Sequence, residues 1–155
     1  MILHRLECEQ IVRATLDQCW EFFSSPKNLA VITPPDLDFV VLTDLPEKVY
    51  AGLFIEYRVR PLLGIPVTWV TEITQARAPL YFCDEQRHGP YRIWHHEHFF
   101  EELDGGKIRL RDCVHYALPF SPLSDLVHPL LVTPRLKTIF DFRRAKIAEI
   151  FGVGD

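Results

Sequence analysis

The chain has no run of apolar residues approaching the ~20 needed to span a bilayer. Its first ten residues, MILHRLECEQ, lack the long apolar core of a secretory signal. Together these absences predict a cytoplasmic protein with no stable membrane insertion. There is no CxxC pair: Cys8, Cys19, Cys83 and Cys113 are scattered. That spacing favours free thiols, buried in a reducing compartment, over a disulfide frame. Clustered Lys and Arg are also missing. The net charge is −4, and the densest basic group, Lys137, Arg143, Arg144 and Lys146, is too small for a nucleic-acid surface. No Ser or Cys stands in a GxSxG-like elbow, which removes support for nucleophilic catalysis. No glycine-rich loop is present to cradle phosphate, and no cofactor is expected. Repeats, low-complexity runs and linkers are absent as well. The 155 residues therefore read as one domain, 1–155, large enough to bury roughly 70% of the unfolded surface.

What the chain does have is aromatic and strand-like. Apolar residues make up 48% and aromatics 12%, with eleven Phe, which favours a large apolar interior. The clearest helix signal is Thr133–Phe151. Leu136, Ile139, Phe140, Ile147, Ile150 and Phe151 fall on one stripe, with Lys137, Asp141, Arg144 and Glu149 opposite. Thr133 suits the cap, Pro134 the first helical position, and Gly152 the stop. Arg143 interrupts the apolar stripe near its centre, so it must either reach solvent or meet a buried carboxylate.

Ahead of that helix, residues 2–12 alternate as a first strand. Thr15 and Gln18 fit a capping box for a short helix whose inner face is Leu16, Cys19, Trp20 and Phe23. A second short helix is expected at 26–32, stopped by Thr33-Pro34-Pro35. Strands are then expected at 38–44, 54–60, 67–74, 80–87, 92–103 and 107–118, the last two joined by Asp104-Gly105-Gly106. Residues 119–132 read as a proline-marked crossing with one or two helical turns, bent or split at Pro129. It is either a cap on the barrel end, a gate, or an edge that touches membrane or a partner. Strands joined by tight turns favour an antiparallel meander covered by the final helix.

Residues two apart on a strand share a face. Trp94, His96, His98 and Phe100 therefore lie together, as do Asp112, Val114, Tyr116 and Leu118. A three-residue turn sets His98 opposite Asp112 and Trp94 opposite Tyr116, whereas a two-residue turn would put these sets on different faces. Phe82, Asp84 and Gln86 form a similar mixed face one strand back, and Trp69, Thr71 and Ile73 the next. His4, His88 and His128 are assigned to solvent or turns, and His95 and His115 to the exposed face.

The string Phe82-x-Asp84-x-Gln86-x-x-Gly89-Pro90-Tyr91-x-x-Trp94-x-His96-x-His98-x-Phe100 is more specific than generic strand text. So is Asp112-x-Val114-x-Tyr116-x-Leu118-Pro119-Phe120. With Leu29-x-x-Ile32-Thr33-Pro34-Pro35 and Ile139-Phe140-x-x-Arg143, the whole chain resembles a bacterial ligand-binding branch of the SRPBCC, or START-like, superfamily, which includes polyketide cyclase/dehydrase-like proteins. The resemblance implies an α+β helix-grip fold: a curved antiparallel sheet of six to seven strands around a long C-terminal helix, with two short helices after the first strand. It also implies a cavity for a small hydrophobic molecule such as a lipid, polyketide or isoprenoid.

In that arrangement Trp69, Phe82, Trp94, Phe100, Tyr116 and Phe140 form apolar walls. Asp84, Gln86, His96, His98, Asp112 and Arg143 supply polarity, either to a ligand or to one another. Two alternatives stand beside a binder. One is a cyclase- or dehydratase-type enzyme using His98 and Asp112 as an acid–base pair. The other is a structural or interaction domain with a filled core. A metal held by His96, His98 and Asp112 is weighed and not expected.

Overall fold

The computed structural model describes residues 1–154; Asp155, the last residue of the expected domain, lies outside them. Seven antiparallel strands form one open sheet. They are β1 (His4–Arg13), β2 (Val40–Val41), β3 (Leu53–Val59), β4 (Val67–Arg77), β5 (Tyr81–His88), β6 (Ile93–Leu103) and β7 (Lys107–Ala117). Their order across the sheet is β1-β7-β6-β5-β4-β3-β2. The chain winds as a meander from β2 to β7, and β1 closes against β7. Register shifts between Val70 and Thr71 and between Ile73 and Gln75 bend β4 against β5, which helps the sheet curl.

The Asp104-Gly105-Gly106 connection is the three-residue turn that the side-chain pattern requires. Trp94 pairs with Tyr116, His96 with Val114, His98 with Asp112 and Phe100 with Leu110. The capping box of α1 (Leu16–Phe23) is complete: the Gln18 amide donates to Thr15 Oγ1 at 3.2 Å, and the Thr15 amide to Gln18 Oε1 at 2.9 Å. Cys19 and Trp20 of α1 are buried, and Trp20 meets Phe82 and Phe100 edge-on. The expected helix at 26–32 is a 3-10 turn, Pro26–Ala30, followed by a second 3-10 turn, Pro35–Leu37, that the prolines had concealed. The strand expected at 38–44 shrinks to the two-residue edge β2.

The largest difference lies before the final helix. Thr133 is not its cap. Helix α2 (Leu123–Val127) runs through a π-helical turn, His128–Val132, directly into α3 (Thr133–Phe151). Pro129 sits at the start of the π turn, where its missing N–H removes one α-helical bond and the wider turn absorbs the mismatch. Leu136, Phe140, Arg143 and Ile147 form the buried line of α3. Ile150 shares that stripe but is 42% exposed, because Phe151 takes the packing against Phe22 and Phe23 instead. Before α3, Phe120, Leu123, Leu126 and Leu130 stand at least 74% exposed, so this segment is not a cap packed down on the barrel end. Among the described residues, no helix is long and apolar enough to cross a membrane. All four cysteines are free.

Candidate functional site

The inner face of the sheet and the buried line of α3 enclose a cavity of about 200 Å3. Eight of the twelve residues predicted for the site line it: Trp69, Phe82, Asp84, Trp94, His96, His98, Phe140 and Arg143. Trp94 turns inward, edge-on to Trp69 and tilted against Tyr91.

The other four serve elsewhere. Gln86 is spent on the β5–β6 turn: its Nε2 donates to the Tyr91 carbonyl at 2.6 Å and its Oε1 accepts from the Tyr91 amide at 3.1 Å. Phe100 fills the core between Trp20 and Phe23. Tyr116 lies at the far end of the sheet, its hydroxyl 2.8 Å from His128 Nε2. His4 stacks on His128, so these two histidines are half-buried partners rather than solvent-facing groups. Asp112 faces a second, polar cleft between β1 and α3.

The pattern also missed Ile55, Tyr57 and Val59 of β3, together with Leu29 and Ile32, all of which line the cavity. The signal for the first three was present in the alternation of 54–60, but nothing in the sequence said which face of β3 turned inward.

Gln86 matters as a brace. A Cβ at Gly89 would come within 2.5 Å of Gln86 Oε1, so only glycine lets the turn pass over the amide. Gly89→Ala should therefore displace Gln86 and cost about 0.5–1.5 kcal/mol, the net worth of a hydrogen bond between partly buried groups. A urea midpoint unchanged from wild type would show that the brace carries no stability.

At the cavity's polar end, two carboxylates, two imidazoles and one guanidinium form a closed network. His98 Nε2 lies 2.7 Å from Asp84 Oδ2, and its Nδ1 lies 3.1 Å from Asp112 Oδ1. His96 Nε2 is 2.8 Å and Arg143 Nη2 3.3 Å from that same Asp112 oxygen. Arg143 Nη2 also lies 3.4 Å from His98 Nδ1. With both acting as donors to Asp112, this is a shared acceptor and not a hydrogen bond between them. Phe82 stacks on His98 at 4.0 Å, and His96 lies against His98 at 3.9 Å.

Burial works against ionising Asp112, yet the charge of Arg143 and the hydrogen bonds from His96 and His98 hold it well below the usual carboxylate range. Asp84 is held down in the same way, burial being outweighed by His96 and His98. Burial also opposes the charge on His98, but hydrogen bonds to Asp112 and Asp84 raise its pKa. Burial and the neighbouring His98 lower that of His96. Two carboxylates thus face one guanidinium and one imidazolium, and the buried charges cancel.

These directions fix a pH dependence. The His98 contribution is fully present below its ordinary value of 6.5 and is lost as pH rises through its raised folded value. Asp84 and Asp112 contribute above 3.8 and lose that contribution as pH falls through their lowered folded values. His96, kept neutral, costs stability below 6.5, where the unfolded chain takes up the proton. Thermal midpoints should therefore peak near pH 6.5, and His98→Gln should remove the fall on the alkaline side. A wild-type midpoint still climbing above that pH would contradict a protonated His98.

Asp84, His96 and His98 also offer three metal-ligand atoms within 4.8 Å of one another. The 2.7 Å separation of His98 Nε2 and Asp84 Oδ2 is that of a hydrogen bond, shorter than the ~3.3 Å between N and O ligands on a tetrahedral ion. Arg143 already supplies the positive charge. The arrangement fits a proton better than a metal ion.

No protein-family model matches the sequence, and no curated protein matches it. Solved structures do match. CV1439 from Chromobacterium violaceum is 13% identical, with a TM-score of 0.68, covering 97% of this chain and 99% of that one. Norcoclaurine synthase from Thalictrum flavum is 14% identical, with a TM-score of 0.67, covering 96% and 95%. Ms6760 from Mycobacterium smegmatis is 18% identical, with a TM-score of 0.63, covering 94% and 92%. At these identities the likeness carries the fold alone, a helix-grip α+β fold.

Proposed function

We propose that the protein binds a small apolar molecule, about one ring in size and carrying a hydrogen-bonding group, in the cavity between the sheet and α3. The observation that supports this most directly is an aromatic void ending on Asp84, His96, His98 and Arg143. Its volume exceeds the ~150 Å3 of an apolar cavity that takes up benzene and falls below the ~300–1,000 Å3 of sites for drug-sized ligands. That range favours a ring over a long acyl chain. Trp69 Nε1 and Arg143 Nε are buried donors with no acceptor, and a ligand oxygen would supply one. One structural neighbour, norcoclaurine synthase, has been solved in complex with dopamine and hydroxybenzaldehyde, both single-ring compounds.

An acid–base enzyme acting through His98 and Asp112 has less support. Asp112 does not line the cavity, and both His98 ring nitrogens already face carboxylates. A thermal-shift panel of phenols, benzaldehydes and benzoic acids against long-chain fatty acids tests the proposal. Ring compounds should raise the midpoint and fatty acids should not. If no ring compound does so, and native mass spectrometry of purified protein finds none retained, the proposal fails.

A further inference from the structure

The face of β5, β6 and β7 turned away from the cavity carries a second concentration of chemistry. Cys83 and Glu85 of β5, His95 and Glu97 of β6, and Cys113 and His115 of β7 alternate with the inner residues and so share the outer face. The register arranges them in two rows: Cys83, Glu97 and Cys113 in one, Glu85, His95 and His115 in the other. None is fully exposed. Cys83 is 0% and Cys113 3% exposed, and His95, expected in solvent, keeps only 33% of its side chain exposed.

Within this block a thiol, an imidazole and a carboxylate converge at Cys83. Its Sγ lies 3.7 Å from both ring nitrogens of His95, beside the ring and not in line with either lone pair, so a turn of the imidazole is needed to bring Nδ1 onto an ion shared with the sulfur. His95 Nδ1 lies 3.1 Å from Glu85 Oε1. Ligands on a tetrahedral zinc ion are separated by about 3.6 Å for sulfur and nitrogen and about 3.3 Å for nitrogen and oxygen. The three donor atoms lie within 4.8 Å of one another.

The surroundings hold the carboxylate in place. Thr74 Oγ1 donates to Glu85 Oε1 at 3.4 Å, and Arg87 Nη1 donates to the other oxygen, Oε2, at 3.3 Å. Such outer partners orient metal ligands. The neighbouring set, Glu97, Cys113 and His115, offers the same donor types. Its sulfur lies farther from the imidazole, 3.9 Å from His115 Nδ1.

We propose that Cys83, Glu85 and His95 bind a divalent transition-metal ion of the zinc class. Thiolate, imidazole and carboxylate together suit zinc or cobalt and do not suit calcium or magnesium. On ligating, Cys83 releases its thiol proton to solvent, and no oxidation or reduction is involved. Sulfur closes the site from the sheet side, and the partly exposed Glu85 and His95 leave the fourth position open to water. The place in the fold gives the ion a task. The β5–β6 ladder runs from Tyr81 opposite Phe99 to Glu85 opposite His95 and ends there. The ion ties the two strands where they part, directly behind the strands that carry Asp84, His96 and His98.

The test uses chelator-treated full-length protein titrated with cobalt(II). Binding should produce thiolate-to-cobalt charge transfer in the near ultraviolet together with tetrahedral visible bands, and zinc should displace it and raise the thermal midpoint. His95→Gln and Cys83→Ser should each weaken cobalt binding at least tenfold, while Cys19→Ser leaves it intact. If Cys83→Ser fails to fold, His95→Gln decides. A second equivalent lost in Cys113→Ser would place a further ion at the neighbouring set and leaves the first site supported. No cobalt–thiolate band in the wild-type protein, or a band unchanged in His95→Gln, overturns the proposal.

Discussion

Arg143→Leu should destabilise the fold by about 3–5 kcal/mol, the range for removing one partner of a buried ion pair. Arg143 is 9% exposed on the inner line of α3, and its guanidinium is one of three donors converging on Asp112 Oδ1. Leucine fits the apolar stripe but leaves two buried carboxylates facing a single imidazolium. The remaining charge must be solvated by distortion or neutralised by protonation. Adding Asp112→Asn should recover much of the loss, because the orphaned charge goes with it. Urea unfolding of the wild type, both single variants and the double variant would measure the coupling, expected at about 0.5–3 kcal/mol for groups in one network. A single-variant loss below about 0.5 kcal/mol, the scale of an ordinary surface substitution, would mean that the pair carries no stability. Ligand affinity measured on the double variant then isolates what Arg143 contributes to binding.

Phe82→Ala should cost a similar amount, about 3–5 kcal/mol, from lost burial and an unfilled void. Phe82 is 6% exposed, lies flat on His98 at 4.0 Å and meets Trp20 and Phe100. Because it also lines the cavity, its removal adds space continuous with the binding site rather than a sealed hole. A ring-sized compound should therefore raise the midpoint of Phe82→Ala more than that of the wild type, by the mass action of a ligand that binds only the folded state. Equal shifts in the two proteins, with the expected loss of stability intact, would place the bound compound away from Phe82.

The hairpin shows how much of the site was legible in advance. Period-two alternation in 92–103 and 107–118, together with two glycines after Asp104, was enough to set His98 opposite Asp112, because a slip of one residue would have turned the aromatic set to the other face. Arg143 was legible as an exception, since it breaks an apolar stripe at a spacing that admits no other reading than a buried cation or a snorkelling one. Gln86 and Tyr116 share the inner face by alternation, yet the first closes a turn and the second caps the sheet end on His128. Alternation gives the side of a strand but not the distance along it to the void. Helix α3 ends at Phe151 as expected, but Thr133 does not begin it afresh, since a proline and a threonine look alike whether they begin a helix or sit inside one widened by a π turn.

The local pattern by itself determined the succession of strands along the chain, the register of β6 on β7, the capping of α1 and the buried line of α3, since each rests on alternation, helical spacing or a short turn. The closure of β1 on β7 joins residues about a hundred positions apart and did not follow from it. Only the folded chain decided which carboxylate meets which imidazole, where the void lies, and that a thiol, an imidazole and a carboxylate gather behind it. Those outcomes depend on how sharply the sheet curls around α3, a property of all seven strands together that no short stretch encodes.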